Sequence, residues 1–146
     1  MAWSRSEILA ATGGKLQRAG KQLRFGAVVT DSAKAKKGSV FVALKGERFD
    51  GHRFVADALR RGAACVIVHR PIAAKSLGRA SVIQVRDTLS ALGDLANYRR
   101  RQIAPLVLAI TGSNGKTTTK EMLAAILEEA SFKGQSLGKR VLKTEG

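Results

Sequence analysis

The stretch TGSNGKTT occupies residues 111–118, between an apolar run, LVLAI at 106–110, and a segment with helical periodicity. The apolar run is short, rich in branched residues and preceded by Pro105, which predicts a buried strand. Apolar residues recur at helical spacing after the loop, and they predict a helix with one apolar face formed by Met122, Leu123, Ile126 and Leu127. A strand, a glycine-bearing turn, a Lys-Thr pair and a helix, in this order, are the layout of a phosphate-binding loop.

Each residue type in this stretch suits a phosphate ligand. Gly112 and Gly115 allow a tight turn whose backbone N–H groups can approach phosphate oxygens. The helix that follows directs unpaired N–H groups and the positive end of its dipole at the same place. Lys116 adds a mobile positive charge for the outer phosphates, and the hydroxyl of Thr117 can bind a hard cation such as Mg²⁺.

The loop departs from the common pattern G-x-x-x-x-G-K-[ST]. Counting back from Gly115, the first glycine of that pattern would fall at Ile110, so the sequence reads G-x-x-G-K-T instead. The alternative interpretation is a glycine-rich turn between a strand and a helix that carries Lys-Thr by chance. The agreement of strand, glycines, Lys-Thr and helix favours the phosphate-binding loop.

Composition limits the class of protein. The chain has 146 residues, 45% of them apolar, and a single cysteine, so it forms no internal disulfide and suits a reducing compartment. Cys65 lies in an apolar run, which predicts a buried and inert thiol. No apolar run approaches the ~18 residues of a membrane span, and the first residues lack a signal-peptide core. We therefore expect a cytoplasmic protein.

The net charge of +15 is concentrated in the first two thirds of the chain. Residues 1–105 contain 20 Lys and Arg against 7 Asp and Glu, whereas residues 106–146 contain 6 against 4. A basic domain favours polyanionic partners, which include both nucleic acids and nucleotides. Few aromatic residues and no recognised nucleic-acid motif accompany the charge, so the charge alone does not decide between them.

Strands and helices alternate before residue 105. Apolar segments predict strands at 25–30, 39–44, 64–68 and 81–85, and the periodicity predicts helices at 52–61 and 88–101. Ser4 and Glu7 form a candidate capping box for a first short helix, and Asp87 is the candidate cap of the last one. The inward face of that last helix is predicted to contain Leu89, Leu92, Leu95 and Ala96.

This alternation predicts an α/β domain over residues 1–104. A second domain is predicted to start at residue 105, with Val141 and Leu142 leading into another strand. Residues 105–146 are too few to close a parallel sheet with helices on both faces, so we expect this second domain to be only begun within the sequence.

Two motifs resemble the Mur ligases, which add amino acids or dipeptides to the UDP-linked peptidoglycan precursor. The segments FVALKGERFDGH at 41–52 and TGSNGKTTTKEMLAAIL at 111–127 are most similar to the members of the family that add D-alanyl-D-alanine to UDP-N-acetylmuramoyl-tripeptide. The likeness covers about residues 28 to 146. It implies a UDP-precursor-binding α/β domain followed by the first strand, phosphate loop and helix of an incomplete central ATPase domain.

The resemblance also implies ligands and the residues that hold them. ATP and Mg²⁺ are expected at the loop, with Thr117 as the metal ligand and the ATP contacts made by Thr111, Gly112, Ser113, Asn114, Gly115, Lys116, Thr117 and Thr118. The UDP part of the precursor is expected to contact Thr30, Asp31, Ser32, Lys45, Gly46, Asp50 and His52.

Each residue of the expected UDP site also has an ordinary structural interpretation. Asp31 and Ser32 could shape a turn, Asp50 could cap the helix that follows, and His52 could be a first-turn residue. The family commonly has Arg after the Asp-Ser pair, where this chain has Ala33. The change removes a fork-shaped phosphate donor, for which Lys34, Lys36 or Lys37 would substitute only as point charges.

The implied function is the N-terminal part of an ATP-dependent ligase, which activates a carboxylate as an acyl phosphate that an amine then attacks. We expect no catalytic residue in these 146 residues and no activity from them alone. The expected partners are small molecules, namely ATP and, in the full enzyme, the UDP-linked muramoyl peptide and D-alanyl-D-alanine. We expect no specific binding of nucleic acid, no membrane association and a monomer. Two alternatives remain: a free-standing nucleotide-binding module that works with a partner, and a basic protein that binds nucleic acid without sequence preference.

Overall fold

The computed structural model describes residues 2–46, 49–72, 77–132 and 134–144. The chain divides into two compact units, Met1–Pro105 and Leu106–Gly146. Of the motif at 41–52, Glu47 and Arg48 lie outside the described residues. None of the helices formed by the described residues combines the length and the hydropathy that crossing a membrane requires.

The first unit is built on a five-stranded sheet. Its elements in chain order are β1 (Trp3–Ser4), α1 (Arg5–Thr12), β2 (Lys15–Arg18), β3 (Arg24–Phe25), β4 (Val28–Val29), β5 (Val40–Val42), α2 (Val55–Arg60), β6 (Cys65–Val68), β7 (Ser81–Gln84) and α3 (Thr88–Ile103). The strand order is β2-β7-β6-β5-β4, and the last four strands are parallel while β2 pairs antiparallel with β7. Strands β1 and β3 form a separate antiparallel pair. The α/β prediction is confirmed.

Both faces of the sheet are covered, because successive side chains of a strand point to opposite faces. One face packs against α1 and α3 through Val40, Val42, Cys65, Ile67 and Ile83, together with Ile8 and Leu95 from the helices. The other packs against α2 through Phe41, Val66, Val68 and Val82, together with Val55 and Ala58. Burying each Val, Ile or Phe side chain contributes roughly 1.5–3 kcal/mol, so this double packing is the main stabilisation of the unit.

The predicted helix caps are present. Ser4 accepts a hydrogen bond from the backbone N–H of Glu7 at 3.1 Å, and the Glu7 carboxylate accepts one from the N–H of Ser4 at 2.7 Å, which completes the capping box of α1. Asp87 accepts from the N–H of Ser90 at 2.6 Å and starts α3 at the predicted residue, Thr88. Local hydrogen bonds of this kind are readable from sequence because both partners lie within one turn.

Several predicted boundaries in the first unit were wrong. The strand predicted at 25–30 is divided between β3 and β4, which belong to different sheets, and the helix predicted at 52–61 begins with a 3-10 turn at Gly51–Phe54. In α3 the buried residues are Thr88, Ala91 and Leu95, whereas Leu89 and Ala96 are exposed. The inward face is displaced from the predicted one because packing on the sheet and on α1 sets the rotation of the helix.

The second unit contains α4 (Lys116–Glu129) and a short antiparallel hairpin of β8 (Ser131–Phe132) and β9 (Gln135–Ser136). The strand predicted at 106–110 is not formed, and Leu106, Val107 and Leu108 are exposed. Val141 and Leu142 form no strand either. A strand exists only through hydrogen bonds to a neighbour, and the only strands described in this unit are β8 and β9, which pair with each other.

Candidate functional site

The loop at 111–118 leads directly into the N-terminus of α4. Gly115 is the N-cap residue and has φ of 77°, a left-handed conformation that glycine adopts without strain. No side chain caps this helix end, so the N–H groups of its first turn remain available. Residues 111–119 are all exposed, and the loop is therefore open to a ligand from solvent.

Lys116 folds back over the loop. Its ammonium group donates to the carbonyl of Gly112 at 2.5 Å and to that of Ser113 at 3.3 Å. These contacts hold a positive charge above the turn, beside the amide groups of the helix N-terminus. The arrangement concentrates positive potential at one exposed point, which is the electrostatic requirement for binding phosphate.

The acidic residue in the first half of α4, Glu121, is already paired. Glu121, on α4, forms ion pairs with Lys143 and, at 3.4 Å, with Lys120. The hydrogen bond from Lys143 lowers the pKa of Glu121, and Glu121 in turn raises the pKa of Lys143. Among the described residues, no group of three or more His, Cys, Asp and Glu side chains could hold a metal ion. Thr117 stands at the second position of α4, where its hydroxyl is exposed.

The residues expected to bind UDP follow the carboxyl ends of parallel strands, the edge where ligands of open α/β sheets bind. Thr30 and Asp31 are exposed after β4, and Asp31 accepts from the N–H of Ala33 at 2.9 Å, capping a 3-10 turn at Ser32–Lys34. The side chain of Ser32 hydrogen-bonds to Asp57 of α2, and this contact, ahead of one from Arg61, lowers the pKa of Asp57. Asp31 and Ser32 therefore do shape a turn, as their structural interpretation predicts.

The loop after β5 closes by backbone contacts. Lys45 and Asp50 form an isolated antiparallel bridge, and the N–H of Gly46 donates to the carbonyl of Phe49 at 2.8 Å. Gly51 packs so closely on the backbone that follows β5 that a Cβ there would lie 2.7 Å from the carbonyl oxygen of Leu44. Only glycine fits this approach, which fixes where Asp50 leaves the loop.

Asp50 and His52 form the most connected polar group at this edge. Asp50 accepts from the backbone N–H of His52 at 3.0 Å, and its Oδ1 lies 2.8 Å from His52 Nδ1. The hydrogen bond from the His52 backbone is the main cause that lowers the pKa of Asp50. Burial lowers the pKa of His52, while Asp50 acts in the opposite direction.

Two further residues of this group, His69 and Arg70, were missed by the sequence analysis. They follow β6, and Arg70 Nη2 lies 2.6 Å from Asp50 Oδ2, while the backbone N–H of His69 donates to His52 Nε2 at 3.3 Å. The signal that could have found them is their place directly after a buried strand, at the same sheet edge as the expected UDP site. Phe49, stacked on Phe54 with ring centroids 5.0 Å apart, was missed as well.

Cys65 takes no part in either site. Its side chain is buried in β6, and burial raises the pKa of the thiol to about 12. Since the thiolate is the reactive form, the thiol is inert near neutral pH, as predicted.

Comparison with known proteins decides the family. Residues 24–100 match the Mur ligase family, catalytic domain, and residues 110–146 match the Mur ligase middle domain. The first match alone spans more than half of the chain. The chain belongs to the Mur ligase family.

Curated Mur ligases resemble the chain over most of its length. The UDP-N-acetylmuramoyl-tripeptide–D-alanyl-D-alanine ligase of Escherichia coli is 44% identical over 124 residues, which are 85% of this chain and 26% of that protein. The enzyme of the same name from Bacillus subtilis is 46% identical over 68% of this chain and 22% of its own length. A 2,6-diaminopimelate ligase of the family, from Aquifex aeolicus, is 42% identical over 79% of this chain. The chain thus spans about a quarter of the length of these Mur ligases.

Solved Mur ligase structures share the fold. The D-alanyl-D-alanyl ligase of Acinetobacter baumannii superposes with a TM-score of 0.76 at 45% identity, over 87% of this chain and 28% of that one. The MurF ligase of Thermotoga maritima, solved in complex with ADP, superposes with a TM-score of 0.61 at 40% identity, over 69% of this chain and 23% of that one. The resemblance predicted from the two sequence motifs is confirmed.

Proposed function

We propose that this chain is the N-terminal part of an ATP-dependent ligase that adds D-alanyl-D-alanine to UDP-N-acetylmuramoyl-tripeptide in peptidoglycan synthesis. In this proposal residues 1–104 bind the UDP-linked precursor, and residues 105–146 begin the ATP-binding domain. The observation that carries it is the exposed loop at 111–118, with Gly115 at an uncapped helix N-terminus and Lys116 above the turn. The identity of 44% to the E. coli enzyme of this name supports the choice of substrates.

In the proposed reaction the precursor carboxylate attacks the γ-phosphorus of ATP and ADP leaves. The amine of D-alanyl-D-alanine then displaces phosphate from the acyl phosphate and forms the amide bond. The loop binds and orients the triphosphate through its N–H groups, the helix dipole and Lys116. Lys116 would exchange its two carbonyl contacts for phosphate oxygens, since both contacts are exposed and local.

Mg²⁺ fits the donor chemistry at the start of α4. A hydroxyl oxygen at Thr117 is a hard ligand of the kind Mg²⁺ accepts, and this ion is commonly held by one or two protein oxygens together with substrate phosphates and water. The metal ion would neutralise negative charge on the phosphates. We propose Thr117 as the ligand that this chain contributes.

We assign no catalytic residue to these 146 residues and expect them not to complete the reaction alone. The basis is coverage, since the chain corresponds to 22–26% of the length of the D-alanyl-D-alanine ligases compared above. Incubation with ATP, Mg²⁺, the UDP-linked tripeptide and D-alanyl-D-alanine should release neither amide product nor phosphate. Formation of the amide bond by the chain alone would contradict this part of the proposal.

Calorimetry with ATP tests the phosphate loop. Replacing Lys116 by Ala removes one charge-assisted contact, roughly 1.5–3 kcal/mol, so the Kd for ATP–Mg²⁺ should rise about 10- to 150-fold. Lys21→Ala, at an exposed lysine of the first unit, is the matched control and should leave the Kd unchanged. Equal affinity of Lys116→Ala and the parent chain would refute the assignment of the loop.

Two threonine variants separate the contribution of the metal ion to ATP binding from that of the phosphate contacts. Thr117→Ala should weaken binding of ATP in the presence of Mg²⁺ and leave metal-free binding unchanged, because only the metal ligand is lost. Thr119→Ala, an exposed threonine on the same helix, should change neither. If both variants behaved alike in Mg²⁺ titrations, Thr117 would not be the metal ligand.

A further inference from the structure

The turn after β6 places an arginine at the edge of the sheet where the expected precursor site lies. His69 and Arg70 directly follow β6, which ends at Val68. The parallel strands β4, β5 and β6 end at the same edge, so Arg70 shares it with the turn at Ser32–Lys34 and with the loop that carries Asp50. Ligands of open α/β sheets bind outside this edge.

His52 has both ring nitrogens engaged within the protein. Its Nε2 accepts from the N–H of His69, so this nitrogen carries no proton, and Nδ1 must then hold the proton that it donates to Asp50. The ring of His69 lies edge-on against it, with centroids 4.2 Å apart, and the side chain of His52 is 4% exposed. The imidazole therefore has no hydrogen-bonding atom left for a ligand.

Asp50 connects His52 to Arg70. Its Oδ1 is occupied by His52, and its Oδ2 holds Arg70 Nη2 at 2.6 Å. The side chain of Arg70 is 56% exposed. A guanidinium has five N–H donors in a planar fork, and only one of its nitrogens contacts Asp50, so the remaining donors are oriented but open to solvent.

We propose that Arg70 is the diphosphate-binding residue of the first unit, and that Asp50 and His52 are positioning residues that hold its guanidinium in place. The ligand class is a nucleoside diphosphate, and the inference rests on the proposed function for the choice of that class. A planar fork can bind two phosphate oxygens at once, which exposed lysines such as Lys34 and Lys36 cannot do. Ala33 supplies no donor from its side chain to the same edge.

Calorimetric titration of the whole chain with UDP, and with uridine as the phosphate-free comparator, tests the assignment. Arg70→Ala should weaken UDP binding by about 10-fold or more through loss of a charge-assisted contact, and should leave uridine binding unchanged. Arg70→Lys keeps a charge near Asp50 but loses the fork, so it should recover only part of the affinity. Arg79→Ala removes an exposed arginine two residues before β7, at the opposite edge of the sheet, and should have no effect.

The positioning role has a readout of its own. Asp50→Asn should weaken UDP binding, and Arg70→Ala should then cost less in the Asp50→Asn background than in the parent, because both act through one contact. If Arg70→Ala cost as much UDP affinity in the Asp50→Asn background as in the parent, Asp50 would only stabilise the loop, and its positioning role would be overturned. Long-range ¹H–¹⁵N spectra should show the Nδ1–H form of His52, and a predominant Nε2–H form would overturn the positioning role of His52.

The outcomes separate this inference from the proposed function. If the parent chain binds UDP and Arg70→Ala binds it equally well, the assignment of Arg70 is wrong while the precursor-binding role of residues 1–104 stands. If the parent chain shows no more affinity for UDP than for uridine, both the assignment of Arg70 and the precursor-binding role of the first unit fail. Loss of affinity in Arg70→Ala and Arg70→Lys, with Arg79→Ala unchanged, supports the inference.

Discussion

At the scale of the residue, His52 places a titratable ring where water has little access. Burial lowers its pKa from the ordinary value of 6.5, so the folded chain holds the neutral ring while the unfolded chain takes up a proton near that value. The unfolded state then binds more protons below about pH 6.5, and the free energy of unfolding must fall as the pH drops through this range.

Urea unfolding at about pH 7.5 and about pH 5.5 measures this effect. The parent chain should lose stability at the lower pH, and His52→Gln should show a smaller difference between the two values because the titrating ring is gone. The quantity compared is the difference in the free energy of unfolding between the two pH values, so a destabilisation that the substitution causes at both pH values cancels. An unchanged difference in His52→Gln would show that the ring does not titrate as its burial requires.

Contacts between residues far apart in sequence explain why the group around Asp50 could be predicted only in part. The cap formed by Asp50 on the N–H of His52 spans two residues and follows from local pattern. Its ion pair with Arg70 spans twenty residues and exists only because β5 and β6 are neighbours in the sheet. The sequence therefore indicated the loop residues but not the arginine that the carboxylate holds.

At the scale of the element, α1 depends on its capping box. Hydrogen bonds from Ser4, its backbone N–H first, and from Gln102 lower the pKa of Glu7 to about 2. A depressed folded pKa means that this stabilisation is present above about pH 4.5 and is lost as the pH falls toward about 2.

The substitution Glu7→Gln removes the titrating carboxylate and keeps the geometry of the capping box, because capping boxes have either Glu or Gln at this position. Circular dichroism during urea unfolding at about pH 5.5 and about pH 3 should show a smaller loss of stability for Glu7→Gln than for the parent. Asp94→Asn, at an exposed carboxylate on α3, is the control for a charge change elsewhere. An equal loss in Glu7→Gln and the parent would mean that the Glu7 carboxylate does not stabilise α1.

The elements also show which sequence signals are reliable. The cap at Asp87 predicted the first residue of α3, and the apolar run at 64–68 predicted β6 to within one residue, because a cap and a buried run act locally. The apolar run at 106–110 gave the same signal as β6 but forms no strand, since a strand requires a hydrogen-bonded partner that the described second unit lacks. Arg99, near the end of α3, lies over the Trp3 ring at 4.0 Å, a tertiary contact that no local pattern indicates.

At the scale of the whole molecule, the two units differ in how they bury apolar surface. The first unit has a sheet covered on both faces, and its buried core includes residues from five strands, β1, β3, β5, β6 and β7, and from three helices. In the second unit Ala124 is the buried apolar residue of α4, while Met122 and Ile126 are 62% and 65% exposed. We therefore expect the local stability of the two units to differ, because burial of apolar surface is the main stabilising contribution.

Hydrogen exchange followed by mass spectrometry measures that difference. Amides of β5, β6 and β7 should be the slowest to exchange, since they are bonded within a buried sheet and open only with the whole first unit. Amides at 106–110 have no strand partner, and those of α4 belong to a helix with little buried surface, so both should exchange orders of magnitude faster. Addition of ATP–Mg²⁺ should slow exchange at 111–120, because binding stabilises the liganded state by mass action. Protection of residues 106–127 equal to that of β6 without nucleotide would refute the predicted difference. Exchange at 111–120 that is not slowed by saturating ATP–Mg²⁺ would contradict binding at the loop.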